Sequence, residues 1–296
     1  MSEQMSDPMS EDVVYDTHGP RFAEASRSLR RSAVVLFGAC YDGTTSFRPG
    51  ARFGPDALRA ASLGLETYSP EQQVDICEDI DLVDLGNLEL PTGAPAPVVH
   101  AITWAVRDIL AAGARPFLLG GEHSVSIGAI RAFTEVYADV TLVQIDAHAD
   151  LRSDYLGEPL NHACVIRRAL DILPSENVLQ VGIRSGTRLE FGELRESNRL
   201  VSPEAKLLKE RLAETSGPIY LTVDLDVFDP AVMPGTGTPE PGGIDWKTFA
   251  ELLSAIPTRR LLAADVVELA PQLDPTGCSS VLAAKVVREV ALKLGQ

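Results

Sequence analysis

Three apolar runs in this chain each end in residues able to bind metal ions. Val140-Thr141-Leu142-Val143-Gln144-Ile145 leads into Asp146-Ala147-His148-Ala149-Asp150, Ile219-Tyr220-Leu221-Thr222-Val223 leads into Asp224-Leu225-Asp226, and Pro116-Phe117-Leu118-Leu119 leads into Gly120-Gly121-Glu122-His123-Ser124. Short runs that are apolar throughout read as strands buried on both faces, as in parallel sheets. Further runs lie at Ala33–Phe37, Ile80–Leu85, Val178–Ile183 and Leu261–Val267, with a short one at Leu200–Val201. Helical patterns fall between them, at Pro55–Ser62, Val98–Ala112, Ser124–Tyr137, His162–Leu170, Pro203–Thr215, Asp245–Ala255 and Ser279–Leu294. In the second, Val98, Val99, Ile102, Val106, Ile109 and Leu110 recur at helical spacing and Gly113 supplies a stop. Strands alternating with helices predict an α/β fold with a mostly parallel central sheet and helices on both faces. Ligands of such sheets bind outside the carboxyl ends of the strands, where all three motifs fall.

The chain is 296 residues long and 45% hydrophobic, enough for a large core. No Pro/Gly/Ser-rich linker divides it, and motifs spread from His123 to Asp226 must converge, so residues 18–296 read as one domain. Residues 1–17, rich in Ser, Glu, Asp and Met and without periodicity, read as a mobile tail or subunit-contact arm. The net charge of −16 argues against nucleic-acid binding, which calls for a basic face, and is compatible with a small cationic substrate. No apolar run is long enough to span a bilayer, so no membrane partner is expected. Cys40, Cys77, Cys164 and Cys278 show no paired spacing and no secretory segment is visible, so they read as reduced thiols of a cytoplasmic protein.

In an extended segment alternate side chains share a face, which would set Asp146, His148 and Asp150 side by side. Carboxylates focused in this way repel one another and are costly to bury unpaired. Two divalent cations neutralise Asp146, Asp150, Asp224 and Asp226, whereas one leaves surplus negative charge. Two such ions about 3.5–4 Å apart can hold a shared water and lower its pKa toward neutrality. Oxygen-rich ligation with two imidazoles suits two Mn2+, while ligand type leaves Ni2+ and Co2+ open. Tetrahedral thiolate zinc does not fit, because no cysteine has ligand spacing.

These motifs, together with Pro-Gly-Thr-Gly-Thr-Pro-Glu-Pro-Gly-Gly at 234–243, Asp-Val-Val-Glu at 265–268 and Phe-Arg-Pro-Gly-Ala-Arg-Phe-Gly-Pro at 47–55, resemble the ureohydrolase family of arginases and agmatinases, most of all the agmatinases. The resemblance covers nearly the whole chain. It implies a three-layer arginase-like fold and a binuclear-metal hydrolase that cleaves agmatine to putrescine and urea. It assigns His123 and Asp150 to one metal and His148 and Asp226 to the other, with Asp146 and Asp224 bridging. Glu268 would orient the substrate guanidinium, since carboxylate and guanidinium pair through two parallel hydrogen bonds. His162 would carry protons, in the range where imidazole titrates. Glu122 stays open between an outer-sphere role and a helix-terminal one.

The Gly/Pro-rich loop 236–243 reads as a pocket wall, and Arg184 as a structural residue paired with an acidic neighbour. The loop Leu151–Pro159 lacks the Asn/Ser-rich run with which arginases hold an amino-acid head group, and its Asp154 and Glu158 would favour a distal ammonium. The alternatives are guanidinobutyrate, free guanidine or arginine as substrate, a non-catalytic homologue, and a mononuclear zinc deacylase on a related fold. The resemblance also implies a homo-oligomer, trimeric or hexameric.

Overall fold

Every one of the eight strand-like runs forms a strand. The computed structural model describes residues 13–26, 31 and 33–296. Its strands are β1 (Tyr15–Asp16), β2 (Val34–Ala39), β3 (Tyr68–Ser69), β4 (Val74–Asp75), β5 (Leu82–Leu88), β6 (Arg115–Gly120), β7 (Thr141–Ile145), β8 (Val178–Val181), β9 (Leu200–Val201), β10 (Ile219–Asp224) and β11 (Leu261–Val267). The α-helices are α1 (Gly54–Ser62), α2 (Pro95–Ala111), α3 (Ser126–Val136), α4 (Val165–Leu170), α5 (Arg188–Ser197), α6 (Ala205–Leu212), α7 (Trp246–Ala255) and α8 (Cys278–Gly295). Among the described residues nine strands join one sheet in the order β1-β5-β2-β6-β11-β10-β7-β8-β9, while β3 and β4 form a separate antiparallel pair. All neighbours in the large sheet are parallel except β1 and β5.

Three layers follow from the pleat. Successive strand residues point to opposite faces, so Leu221 and Val223 join a core with Leu58 of α1, Leu208 of α6, Phe249 of α7 and Val286 of α8. Tyr220 instead joins a second core with Ile102 of α2, Ile130 of α3 and Val165 of α4. Both cores are fully buried, which explains strands that are apolar on both faces.

Four elements were not legible: β1, α5 and the two-residue strands β3 and β4. β1 holds only two residues and pairs Tyr15 with Leu88 and Asp16 with Asn87 at the sheet edge. It belongs to the segment expected as a tail; residues 1–12 of that segment lie outside the described residues. α5 is polar, with only Glu190 and Leu194 buried, but a capping box starts it. The Thr187 side chain accepts from the Glu190 amide, and the Glu190 side chain accepts from the Thr187 amide. No helix among the described residues is long and apolar enough to cross a membrane.

Candidate metal centre and active site

The carboxyl ends of β6, β11, β10 and β7, four adjacent strands, converge on one cavity. β6 ends at Gly120, and a 3-10 turn over His123–Val125 follows. β7 ends at Ile145, directly before Asp146. Asp224 is the last residue of β10, and Asp226 sits in the 3-10 turn Leu225–Val227. Glu268 follows β11. The alternation expected of an extended 146–150 segment is not what aligns these groups. The strand stops at Ile145, and Asp150 turns back through the left-handed region at φ 52°. Glu268 does so at φ 70°. Non-glycine residues held there carry backbone strain, a common property of functional sites.

His123 Nδ1 lies 3.0 Å from an oxygen of Asp150, 3.2 Å from Asp146 and 3.3 Å from Asp224. His148 Nδ1 lies 2.9 Å from Asp226 and 3.8 Å from Asp146. Two donor groups result, His123–Asp146–Asp150 and Asp146–His148–Asp226, with Asp146 common to both. Asp224 borders the first through His123. All six residues singled out as ligands are therefore brought together, five of them buried and His148 partly so.

A layer of polar residues beneath the ligands went unnoticed in the sequence. Gln180, Gln144, Thr222 and Asp265 are in register across β8, β7, β10 and β11, all fully buried. Gln144 Nε2 donates to Asp146 at 2.6 Å, and Gln180 Nε2 donates to Gln144 at 2.7 Å. Tyr220 and Thr222 donate their hydroxyls to Asp265 at 2.7 and 2.6 Å. With its proton so committed, Thr222 Oγ1 accepts from His123 Nε2 at 2.9 Å. The available signal was an internal polar residue in each otherwise apolar run: Gln144, Gln180, Thr222 and Asp265.

That network decides whether a cation fits. Since His123 Nε2 carries its hydrogen toward Thr222, Nδ1 is the ring atom that faces three carboxylates, where it can hold either a proton or a cation. Nδ1 is buried and has no hydrogen-bond partner. Burial alone would push His123 down, yet the carboxylates of Asp146, Asp150 and Asp224 hold it well above the usual imidazole range. Burial likewise opposes protonation of His148, but Asp226 and Asp146 raise it to about 11. Asp150 is pushed up to about 6 by burial and by Asp146, and Asp224 is raised by burial and by Asp226. Without cations, protons must occupy the places between these atoms. Divalent ions fit the same places with nitrogen and carboxylate donors already aimed at them.

Around the ligands a cavity of about 290 Å3 is lined by His162, Glu268, Tyr155, Arg152, Thr187 and Glu190 among others. Glu268 Oε1 accepts from the His123 amide at 2.8 Å, and burial together with Glu122 pushes its carboxyl up to about 8. It is a carboxyl short of a cationic partner. His162 stands edge-on to Tyr155, 6.0 Å between ring centres, and is held between Thr44 and Ser46. Burial and the charge on His123 push it down to about 4, so the ring is neutral at neutral pH. Glu122 is fully buried and accepts from Thr44, Thr45 and Ser124, while the helical turn after it is capped by no side chain.

Two expectations are corrected. Among the described residues Arg184 makes no ion pair at contact distance with an acidic side chain; it donates to the carbonyls of Asp226 (2.8 Å), Val227 (3.1 Å) and Glu240 (2.6 Å), tying the Asp226 turn to the loop 236–243. Arg184→Lys, which loses the planar fork, is expected to cost about 2–3 kcal/mol of stability as the carbonyls lose partners. An unchanged urea midpoint would contradict this. Asp154 and Glu158 do not line the cavity; their carboxylates accept from the Gly157 and Leu160 amides within their own loop. Glu190, whose carboxylate accepts from the Leu151 and Thr187 amides, does line it. Arg152 stacks over Tyr155, 4.5 Å from the ring centre. The loop 236–243 does wall the cavity through Thr238, which donates to Asp226 at 3.2 Å.

Comparison with known proteins agrees with this geometry. The sequence model of the arginase family matches residues 32–293. The chain belongs to the arginase family. An agmatinase of Halalkalibacterium halodurans is 42% identical over 93% of this chain and 96% of its own length. An N(1)-aminopropylagmatine ureohydrolase of Thermococcus kodakarensis is 36% identical over 84% of this chain and 88% of its own. The crystal structure of an agmatine ureohydrolase of Thermoplasma volcanium superimposes with a TM-score of 0.83 at 34% identity, covering 92% of this chain and 93% of that one. The arginase family depends on binuclear metal centres, and the two donor groups sharing Asp146 suit that dependence.

Proposed function

We infer that this arginase-family chain is a ureohydrolase that cleaves agmatine to putrescine and urea. The observation that carries the reading is the meeting, in one cavity, of two metal-donor groups, the carboxyl of Glu268 and the neutral ring of His162. His123, Asp150, Asp146, Asp224, His148 and Asp226 are the residues to hold two divalent cations, with manganese favoured by an oxygen-rich donor set. When bound, such a pair supplies the charge that neutralises the aspartates and makes a water acidic enough to act as nucleophile.

The chain's own residues do the rest. Glu268, buried and raised, is neutralised by a guanidinium and orients its plane through paired hydrogen bonds. The water oxygen joins the guanidinium carbon, the bond from that carbon to the alkyl-bearing nitrogen breaks, and both water protons end on the departing amine. His162, neutral and beside the cavity, is placed to carry them.

Glu190, which lines the cavity, offers a carboxylate to a distal ammonium, which agmatine has and guanidinobutyrate lacks. A substrate α-carboxylate would need donors to replace its hydration, because a charge buried without a partner is costly. Agmatine is therefore expected to exceed arginine by at least about 10²-fold in kcat/KM. One observation favours a second reading: Arg152 also lines the cavity and suits a guanidino acid such as guanidinobutyrate. A side-by-side urea-release assay on agmatine, arginine, guanidinobutyrate, free guanidine and N(1)-aminopropylagmatine tests both. A better substrate than agmatine would remove the agmatine assignment and leave ureohydrolysis intact.

A further inference from the structure

Glu122 and the segment Thr44–Ser46 determine which nitrogen of His162 carries hydrogen. The Glu122 carboxylate receives four donors: the Thr44 amide at 2.9 Å, Thr44 Oγ1 at 2.5 Å, Thr45 Oγ1 at 3.1 Å and Ser124 Oγ at 2.5 Å. With four donors converging on it, the carboxylate acts as acceptor throughout, so the single hydroxyl hydrogen of Thr44 points to Glu122. Two lone pairs remain on Thr44 Oγ1. The His162 amide donates to that oxygen at 3.1 Å, and His162 Nδ1 faces it at 3.3 Å. Two lone pairs cannot face each other across that distance, so Nδ1 bears the ring hydrogen. Nε2 is then the bare nitrogen, and Ser46 Oγ, 3.2 Å away, donates to it.

The arrangement is anchored beside the ligands. A Cβ on Gly121 would stand 1.9 Å from the Tyr41 carbonyl, so only glycine lets the 41–46 segment lie against the end of β6. The Glu122 amide then donates to that carbonyl at 2.8 Å.

We propose that Thr44, backed by Glu122, is a positioning residue that locks His162 in its Nδ1–H tautomer and makes Nε2 the atom through which protons pass. The proposal rests on His162 being the proton carrier. In each transfer Nε2 takes a proton released by the attacking water and gives it to the nitrogen of the amine as the carbon–nitrogen bond breaks. The ring returns to its starting form, and Thr44 and Glu122 end unchanged.

A double-mutant cycle on the metal-loaded enzyme tests this. Thr44→Val is expected to lower kcat about 10–100-fold, the usual effect of removing an outer partner that orients a working histidine, with KM and metal content unchanged. Thr44→Ser, which keeps the hydroxyl, is expected to retain activity. In a His162→Asn background Thr44→Val is expected to cause no further loss, because its effect passes through the ring. Thr44→Ala replaces the valine variant in the cycle if the latter does not retain its metal. Equal losses from the Thr44 change in both backgrounds, or wild-type kcat in Thr44→Val, would overturn the proposal while leaving His162 as proton carrier. Wild-type turnover in His162→Asn alone would remove the proton-carrier reading, and this proposal with it.

Discussion

His162→Asn is expected to lower kcat about 10²–10⁴-fold, the range for loss of a general acid–base group, while the enzyme keeps its metal. The separation of the two effects follows from geometry. His162 touches Thr44, Ser46 and the edge of Tyr155, and it belongs to neither metal-donor group. Its ring is neutral at neutral pH, so it can accept a proton, which an asparagine amide cannot do in this range. Elemental analysis beside steady-state kinetics checks the result. Loss of metal, or unchanged turnover, would assign His162 a different role.

Asp146→Asn is expected to weaken both metal positions and to reduce activity by more than the 10–100-fold typical of an outer partner. Asp146 is common to both donor groups, and one of its oxygens also receives the Gln144 amide at 2.6 Å. An asparagine there turns a neutral amide toward two cations and removes one of four negative charges. His123→Ala, by contrast, should empty mainly the position shared with Asp150. Metal-to-protein ratios on dialysed samples distinguish the two variants. Two ions retained by Asp146→Asn, or one ion in a fully active wild-type enzyme, would contradict the shared-carboxylate arrangement.

Strands and candidate ligands were legible because both leave strong one-dimensional marks. A doubly buried strand is apolar throughout, and Asp or His at its carboxyl end breaks the pattern abruptly. What escaped was set by contacts distant in sequence. Thr44 and Ser46 lie 118 and 116 residues from His162, and nothing in the sequence around them announces a histidine partner. Gln144 and Thr222 look like ordinary strand residues until the register sets them in one row with Asp265. α5 carries too few apolar residues for periodicity to show, although Thr187 and Glu190 mark its start. The alternation argument for 146–150 had the wrong geometry: a left-handed turn at Asp150 brings these side chains together where an extended strand was expected to. Asp154 and Glu158 were misplaced for a related reason: acidic side chains in a loop readily satisfy their own backbone, and sequence does not reveal when they do.

The order β6-β11-β10-β7 makes the site depend on a strand that supplies none of the six candidate metal ligands. β11 lies between the strand that presents His123 and the strand that presents Asp224. It pairs with β6 on one side and with β10 on the other, and Glu268 follows its last residue. Its pairing therefore sets the spacing of His123 and Asp224 as well as the place of Glu268.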